Sequence, residues 1–397
     1  MEGSGLTAFH DWLVQLRRHF HQYPELSYQE EKTAARISEE LETLGVPHKS
    51  GVGKTGIIAA VEAKNPGPTV AFRADMDALP LEEANDVPYK SKHAGVMHAC
   101  GHDGHITIAL GVARWLLEEG WPDKGRGRIL LLFQPAEEGG AGARAMLETG
   151  LLDREPIEAI FAGHMNPELP VRQIGIASST SNAASDTIQI GLTGKGGHGA
   201  QPHLCIDPII AGAHLMTQLQ TIISRSLSPL DSAVISIGSF HAGTASNIIP
   251  QEAILKGTLR TIRPEVREAV VERMKELLAG LEAAHRVSAD LTVTSGYPLL
   301  VNNANLVEYC RKHAKKILGS SFVHRESPRM GAEDFAYFAQ KWPGILIRLG
   351  CRDTESDFTH GLHSPYFDFD ERVLDMGVNL FGRLLTRFAD HRAGQDG

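Results

Sequence analysis

Apolar and polar positions follow two rhythms along the chain. Residues 8–22 and 28–44 read as helices; in the second, Ala34, Ile37, Leu41 and Leu44 recur at helical spacing among Glu and Lys. Short apolar runs follow: GIIAAVEA (56–63), TVAFRA (69–74), RILLLFQ (128–134) and EAIFAGH (158–164). They have strand length and stop abruptly at polar or Gly-rich turns. Between them, ITIALGVARWLLEEG (106–120) and AGARAMLETG (141–150) have helix length. Strands alternating with helices predict an α/β layer around a largely parallel sheet.

From Asp186 the pattern changes. DTIQIGLT (186–193) alternates as a half-buried strand does, and 207–225 reads as a helix with Asp207 as cap and Pro208 at its first position. SAVISIGSF (232–240) and AILKGTLRTI (253–262) read as strands, 264–285 as an amphipathic helix, and ADLTVTS (289–295) as a strand. The order β-α-β-β-α-β is that of a ferredoxin-like unit. Beyond it, 305–318, EDFAYFAQ, GILIRLG and a helix near 371–388 resume the first style. The expected organisation is a discontinuous α/β domain, 1–184 and 296–397, interrupted by an inserted α+β domain, 185–295. No internal repeat or low-complexity segment is seen.

The bulk numbers narrow the function classes. A chain of 397 residues exceeds the usual size of one hydrophobic core. A net charge of −9 without a Lys/Arg block argues against nucleic acid or an anionic membrane as partner. The N-terminus lacks a basic start followed by an apolar run, so no signal peptide is expected, and no apolar stretch is long enough to span a bilayer. Four scattered cysteines suit reduced thiols in a cytoplasmic protein rather than a disulfide framework. The 19 histidines are the unusual count.

Chemistry-bearing residues gather where predicted strands end. Asp75 and Asp77 follow TVAFRA, Glu137 and Glu138 follow RILLLFQP, and His164 follows EAIFAG. Cys100, His102 and His105 of MHACGHDGH stand at the start of a predicted helix. Open α/β sheets place their sites beyond the carboxyl ends of the strands, so these groups point to one shared site. Thiolate, imidazole and carboxylate together are the donors of zinc-like ions, and carboxylate-rich sets also suit manganese. In EEGG, one glutamate can bind metal while its neighbour takes a proton from water. Taken singly, a strand-end Asp is usually a turn residue and an EE pair merely solvated; the combination is what points to a site. His10, His93 and His214 read as surface or satisfied core residues, and Cys205, Cys310 and Cys351 as structural. GVGKTG (51–56) mimics a phosphate loop, but its glycines precede a strand instead of opening a helix, and position 48 is His48. HExxH and GxSxG are absent.

The motifs RADMDALP, MHACGHDGH, QPAEEGG, GHMNP, GKGGHGAQPH, TASNIIP, GTLRT, MGAEDF and LHSPYF, in this order, resemble the metal-dependent amidohydrolases of the aminoacylase and glutamate-carboxypeptidase superfamily. Within it they resemble the branch of hippurate hydrolases, bacterial N-acyl-amino-acid amidohydrolases and plant auxin-conjugate hydrolases. The resemblance implies a di-metal catalytic domain with an inserted ferredoxin-like lid that also dimerises. It implies Cys100, His102, Glu138, His164 and His363 as metal ligands; spacing alone does not choose His363 over His360. Glu137 would be general base and then acid, Asp75 and Asp77 would orient ligands, and His98 and His105 would support the site. His198 would reach the substrate carbonyl, commonly across to the partner subunit, and Asn247 and Arg260 would grip the substrate carboxylate. The implied cofactor is two divalent ions per subunit, manganese or zinc, with cobalt or nickel as further options. The implied reaction is hydrolysis of an N-acyl amino acid. The alternatives are a dipeptidase, an aminobenzoyl-glutamate hydrolase, a diaminopimelate-type deacylase, a metal-dependent deaminase, or a non-catalytic binding protein on the same fold.

Overall fold

The computed structural model describes residues 3–353 and 360–393. They divide into two compact units. One holds the chain up to Ser181, Val301–Ser327 and the chain from Asp334 on; the other holds Asn182–Leu300 and Pro328–Glu333. Each closes its own apolar core.

The first unit is built on an eight-stranded sheet. Its strand order is His48–Val52, Gly56–Glu62, Arg126–Gln134, Asn65–Asp75, Ile157–Pro170, Gly344–Arg352, Ile174–Ala177 and Val323–Glu326. The four middle strands run parallel. The flanks do not: His48–Val52 and Gly56–Glu62 form an antiparallel hairpin, which pairs antiparallel with Arg126–Gln134. The sheet is therefore mixed rather than largely parallel. GVGKTG is the turn of that hairpin, with Val52 paired to Gly56 and no helix behind it. The Ile157–Pro170 strand runs six residues beyond His164, because Gly344–Arg352 pairs with it as far as Pro170. His164 thus lies within a strand, not after one.

The helix expected from residue 106 begins at His102. Gly101 precedes it at φ +83°, and a Cβ there would lie 2.7 Å from the Met165 side chain. Only glycine suits both demands. Residues 102–113 of this helix are buried on every face, as expected of a helix covered on all sides. The helices Gly3–Gln22 and Arg372–Ala393 pack against it.

In the second unit four antiparallel strands take the order Ala233–Ala242, Glu252–Thr261, Ala184–Thr193, Ser288–Ser295. With the helices Pro208–Thr221 and Pro264–His285 this is the ferredoxin-like arrangement. Ile188, Ile190 and Leu192 point alternately into the core, against Ala211, Leu215 and Leu219 of one helix and Val270, Met274 and Leu281 of the other. Asp207 caps the first helix, its Oδ1 accepting from Ile209 N at 2.8 Å, with Pro208 next. No described helix is long and apolar enough to cross a membrane.

Candidate metal centre

The EEGG loop is fixed by one carboxylate. Asp77 Oδ1 accepts the Glu137 N–H and Oδ2 the Glu138 N–H, each at 3.0 Å. Oδ2 also accepts the Ser27 hydroxyl at 2.7 Å. Burial alone would raise the Asp77 carboxyl, yet these donors and His102 hold it below the usual range. Gly142 closes the loop: a Cβ there would lie 1.6 Å from the Pro135 carbonyl oxygen. The two glutamates then take different partners. Glu137 Oε1 accepts the Asp334 N–H at 3.4 Å, whereas Glu138 Oε1 lies 3.1 Å from His363 Nε2.

Around them stand the nitrogen and sulfur donors. The ligand atoms of Cys100, His102 and His164 lie within 4.8 Å of one another, as do those of Cys100, Glu138 and His363, and those of His102, Glu137 and Glu138. Cys100 belongs to two of these groups, with Sγ 3.6 Å from His164 Nε2. The ring tautomers suit metal binding. His102 Nδ1–H donates to the Asp77 carbonyl at 2.9 Å and His164 Nδ1–H to the Met165 carbonyl at 2.8 Å. His164, held by burial well below the usual imidazole range, thus carries a lone pair on Nε2, and His102 Nε2 offers one once a cation replaces its proton. His102 Nε2 is buried with no hydrogen-bond partner among the described residues, a cost that a bound cation would remove. His363 sits at φ +63°, its N–H donating to the Ala99 carbonyl at 2.8 Å. Hydrogen bonds to the Cys100 sulfur and the Glu138 carboxylate push its imidazole up to about 10, the response of a base among anionic groups. A soft thiolate, three imidazoles and a carboxylate fit divalent transition ions.

Asp75 and His105 also converge here but are already engaged. His105 Nδ1 meets Asp75 Oδ1 at 2.5 Å, and its Nε2 accepts the Met165 N–H at 2.9 Å. Asp75 Oδ2 takes Arg73 Nη1 at 2.7 Å and lies 3.6 Å from His102 Nε2. Burial pushes the Asp75 carboxyl up, and Arg73 with the two imidazoles outweighs it, holding the group well below the carboxylate range. His98 is wholly buried, and neither ring nitrogen has a hydrogen-bond partner among the described residues; burial lowers it to about 4. His360 lies against Tyr366, ring centroids 5.2 Å apart and tilted by 32°, instead of joining the cluster.

His198, Asn247 and Arg260 belong to the second unit. His198 is exposed on the short strand Gly197–His198, paired with Ile248 of Ile248–Ile249. The Gly199 N–H donates to the Asn247 carbonyl at 2.8 Å, so these two stretches lie side by side. Arg260 stands on Glu252–Thr261, where Nη1 donates to the Met330 carbonyl at 3.0 Å.

The structure adds residues that the sequence reading leaves out. Arg73 Nε donates to Gln134 Oε1 at 2.7 Å and Nη2 to Asp334 Oδ1 at 2.9 Å, all three side chains buried. A charged residue inside the apolar run TVAFRA was the available signal, since buried Arg is nearly always paired. Arg17 is likewise buried. It donates to Asp103 at 2.9 Å and Asp368 at 2.6 Å, and so anchors the first turn of the His102–Glu118 helix.

This is the architecture of a dinuclear metallohydrolase: polar donors at one end of a parallel sheet core, and a glutamate beside the cluster. Residues 71–387 match peptidase family M20/M25/M40, and the chain belongs to that family. It is 40% identical to an N-acetyl-L-cysteine deacetylase of Bacillus subtilis over 369 residues, 93% of this chain and 86% of that one. It is 37% identical to IAA-amino acid hydrolase ILR1-like 2 of Arabidopsis thaliana over 389 residues, 97% of this chain and 87% of that one. Among solved structures, the YXEP protein of Bacillus subtilis, a dinuclear metal binding peptidase from the M20 family, superposes with a TM-score of 0.83. It is 34% identical, with 96% of this chain and 99% of that one covered. The chain is a hydrolytic enzyme acting on amides.

Proposed function

We propose that the enzyme hydrolyses the amide bond of N-acyl amino acids, releasing a carboxylic acid and a free amino acid. The observation that carries this reading is that Glu137 and Glu138, pinned on one loop beside His102, take different partners, Glu138 meeting His363 and Glu137 accepting the Asp334 N–H. Glu137 then serves proton transfer beside a ligand cluster. Relatives named for acylated cysteine and for auxin–amino acid conjugates support the substrate class.

Cys100, His102, Glu138, His164 and His363 would hold two divalent ions, manganese or zinc, which supply Lewis acidity toward the carbonyl oxygen and make water acidic near neutral pH. Glu137 removes a proton from the attacking water and returns it to the amide nitrogen as the C–N bond breaks. Asp75 and Asp77 keep His102, His105 and the EEGG loop in place. His198 donates to the carbonyl oxygen as it gains charge. Asn247 and Arg260 bind the substrate carboxylate, which suits an amide donor and a guanidinium fork. The second unit serves as lid and as the interface of a homodimer. Four buried, unpaired cysteines support a cytoplasmic setting.

The test is amino-acid release from N-acetyl, N-benzoyl and N-aminobenzoyl amino acids and from dipeptides, with manganese or zinc added and with chelator. Chelator-sensitive release from the N-acyl substrates, abolished in Glu137→Ala with both metals retained, is the expected result. Release from dipeptides alone, ammonia without amino acid, or an active Glu137→Ala would overturn the proposal.

A further inference from the structure

The backbone just before the proposed base adopts a conformation that residues with a Cβ rarely take. Ala136 has φ +51°, so something must hold it there. Its carbonyl accepts the Gly142 N–H at 3.1 Å, inside the loop. Its N–H leaves the loop and donates to Glu30 Oε1 at 2.9 Å. Glu30 is fully buried, and Oε2 accepts the Thr55 hydroxyl at 2.6 Å. Glu30 makes no ion pair among the described residues. A buried carboxyl without a cation costs stability, and burial indeed raises its pKa. An apolar side chain would fill the space more favourably, but it would leave the Ala136 N–H unmatched.

Glu30 does not act alone. From the same short segment, Ser27 Oγ reaches the Glu138 carbonyl at 3.2 Å, and Tyr28 Oη donates to the Gly140 carbonyl at 2.7 Å. Tyr28 is itself left-handed, at φ +64°. Three side chains of residues 27–30 therefore hold three points of the loop, at 136, 138 and 140. The φ of Ala136 sets the direction in which the next residue leaves.

We infer that Glu30 is a positioning residue for Glu137: its carboxyl locks Ala136 in the left-handed conformation that aims the Glu137 side chain. The inference rests on Glu137 being the base. Glutamine at position 30 preserves both contacts, since its Oε1 accepts from Ala136 and its amide donates to Thr55, whose hydroxyl both gives and receives. Alanine preserves neither, and Glu30→Asp is one methylene too short.

The experiment compares Glu30→Ala, Glu30→Asp and Glu30→Gln with Glu137→Ala in the metal-loaded enzyme. It reads kcat, KM, bound metal, Tm and amide exchange across residues 134–142. Expected for Glu30→Ala is a kcat lower by about a hundredfold or more, as misplacement of a reacting group costs. Its KM and metal content should hold, with faster exchange at residues 136–139. Glu30→Asp should share the defect, and it carries the test if Glu30→Ala does not fold. Glu30→Gln should restore kcat to within about tenfold of the parent. Parent-like kcat and exchange in Glu30→Asp, or a Gln variant as slow as the Asp variant, would overturn the inference. An active Glu137→Ala would instead remove the base assignment, and the exchange data would still report on the Glu30–Ala136 lock.

Discussion

The guanidinium of Arg73 donates to Asp334 at 2.9 Å, joining groups 261 positions apart in the chain. Asp334 repeats the service in every direction open to it. Its two oxygens accept Gln134 Nε2 at 2.9 Å, Oδ2 accepts the Ala143 N–H at 2.9 Å, and its own N–H reaches Glu137. The group ties the end of one sheet strand to the loop bearing the proposed base.

Removing Asp334 leaves buried Arg73 with Asp75 as its remaining carboxylate in this network and takes the acceptor from Gln134 Nε2 and the Ala143 N–H. Asp334→Ala should cost about 3–5 kcal/mol, the scale of a broken buried pair. A urea unfolding midpoint within error of the parent would show that the network contributes no stability. Asp334→Asn keeps an acceptor for Arg73 and should lose less.

Adding metal should stabilise the chelated protein by an amount that grows with the logarithm of free metal above its Kd. Each ion bound at 100 times its Kd adds about 2.7 kcal/mol, so Tm should climb with manganese or zinc concentration. Cys100 belongs to two of the donor groups. Cys100→Ala should therefore reduce bound metal below two per chain and flatten the Tm response. Two tightly held ions in that variant would exclude a shared thiolate.

His98 gives the stability a pH dependence with a definite sign. Burial holds the folded imidazole at about 4 against an ordinary 6.5. Between these values the unfolded chain takes up a proton that the folded chain refuses. The contribution is complete above pH 6.5 and falls by about 1.4 kcal/mol per pH unit as pH drops toward 4. His21 has the opposite sign, because hydrogen bonds to Asp103 and Glu83 outweigh burial and the nearby Arg17, leaving its pKa raised. Its contribution is complete below 6.5 and is lost as pH rises through the folded value. Urea midpoints from pH 4.5 to 7.5 on chelated parent and His98→Leu isolate the His98 share, since the variant should show a shallower acid-side slope, while His164 and His19, whose pKa values burial also lowers, contribute alike in both. Identical slopes would mean that His98 titrates normally.

Much of the site could be read from the chain because its polar groups interrupt apolar runs. Asp75, Glu137 and Glu138 stand out where TVAFRA and RILLLFQ stop. The ferredoxin-like order was legible for a similar reason: Ile188, Ile190 and Leu192 keep a period of two beside helices with a period near four. The edge strands were not. HKSGV is exposed at three of its five positions, and VHRE is nowhere fully buried, so neither carries an apolar signature. The supports of the base loop were hidden too. Ser27, Tyr28 and Glu30 look like an ordinary polar turn, and only the fold brings them under residues 136–140. His363 depends on a left-handed backbone and a bond to the Ala99 carbonyl, which spacing does not encode.

Asp77 offers the sharpest test of how the loop is held. Its carboxylate receives two backbone N–H groups, one per oxygen, and a serine hydroxyl. Asparagine has nearly the same shape but one acceptor fewer, and its amide hydrogens would confront a loop N–H. An amide left buried and unmatched costs about 1–3 kcal/mol, enough to drive the loop to another conformation. Asp77→Asn should keep its fold, because the surrounding strand core is apolar and unaltered. It should lower kcat by about a hundredfold through displacement of Glu137. Metal content should fall less, since only Glu138 among the five proposed ligands rides on that loop. Ser27→Ala removes one neutral donor and leaves both N–H contacts, so its effect should stay within about tenfold. Parent-like turnover in Asp77→Asn would mean that the loop holds itself and that the carboxylate serves His102 alone.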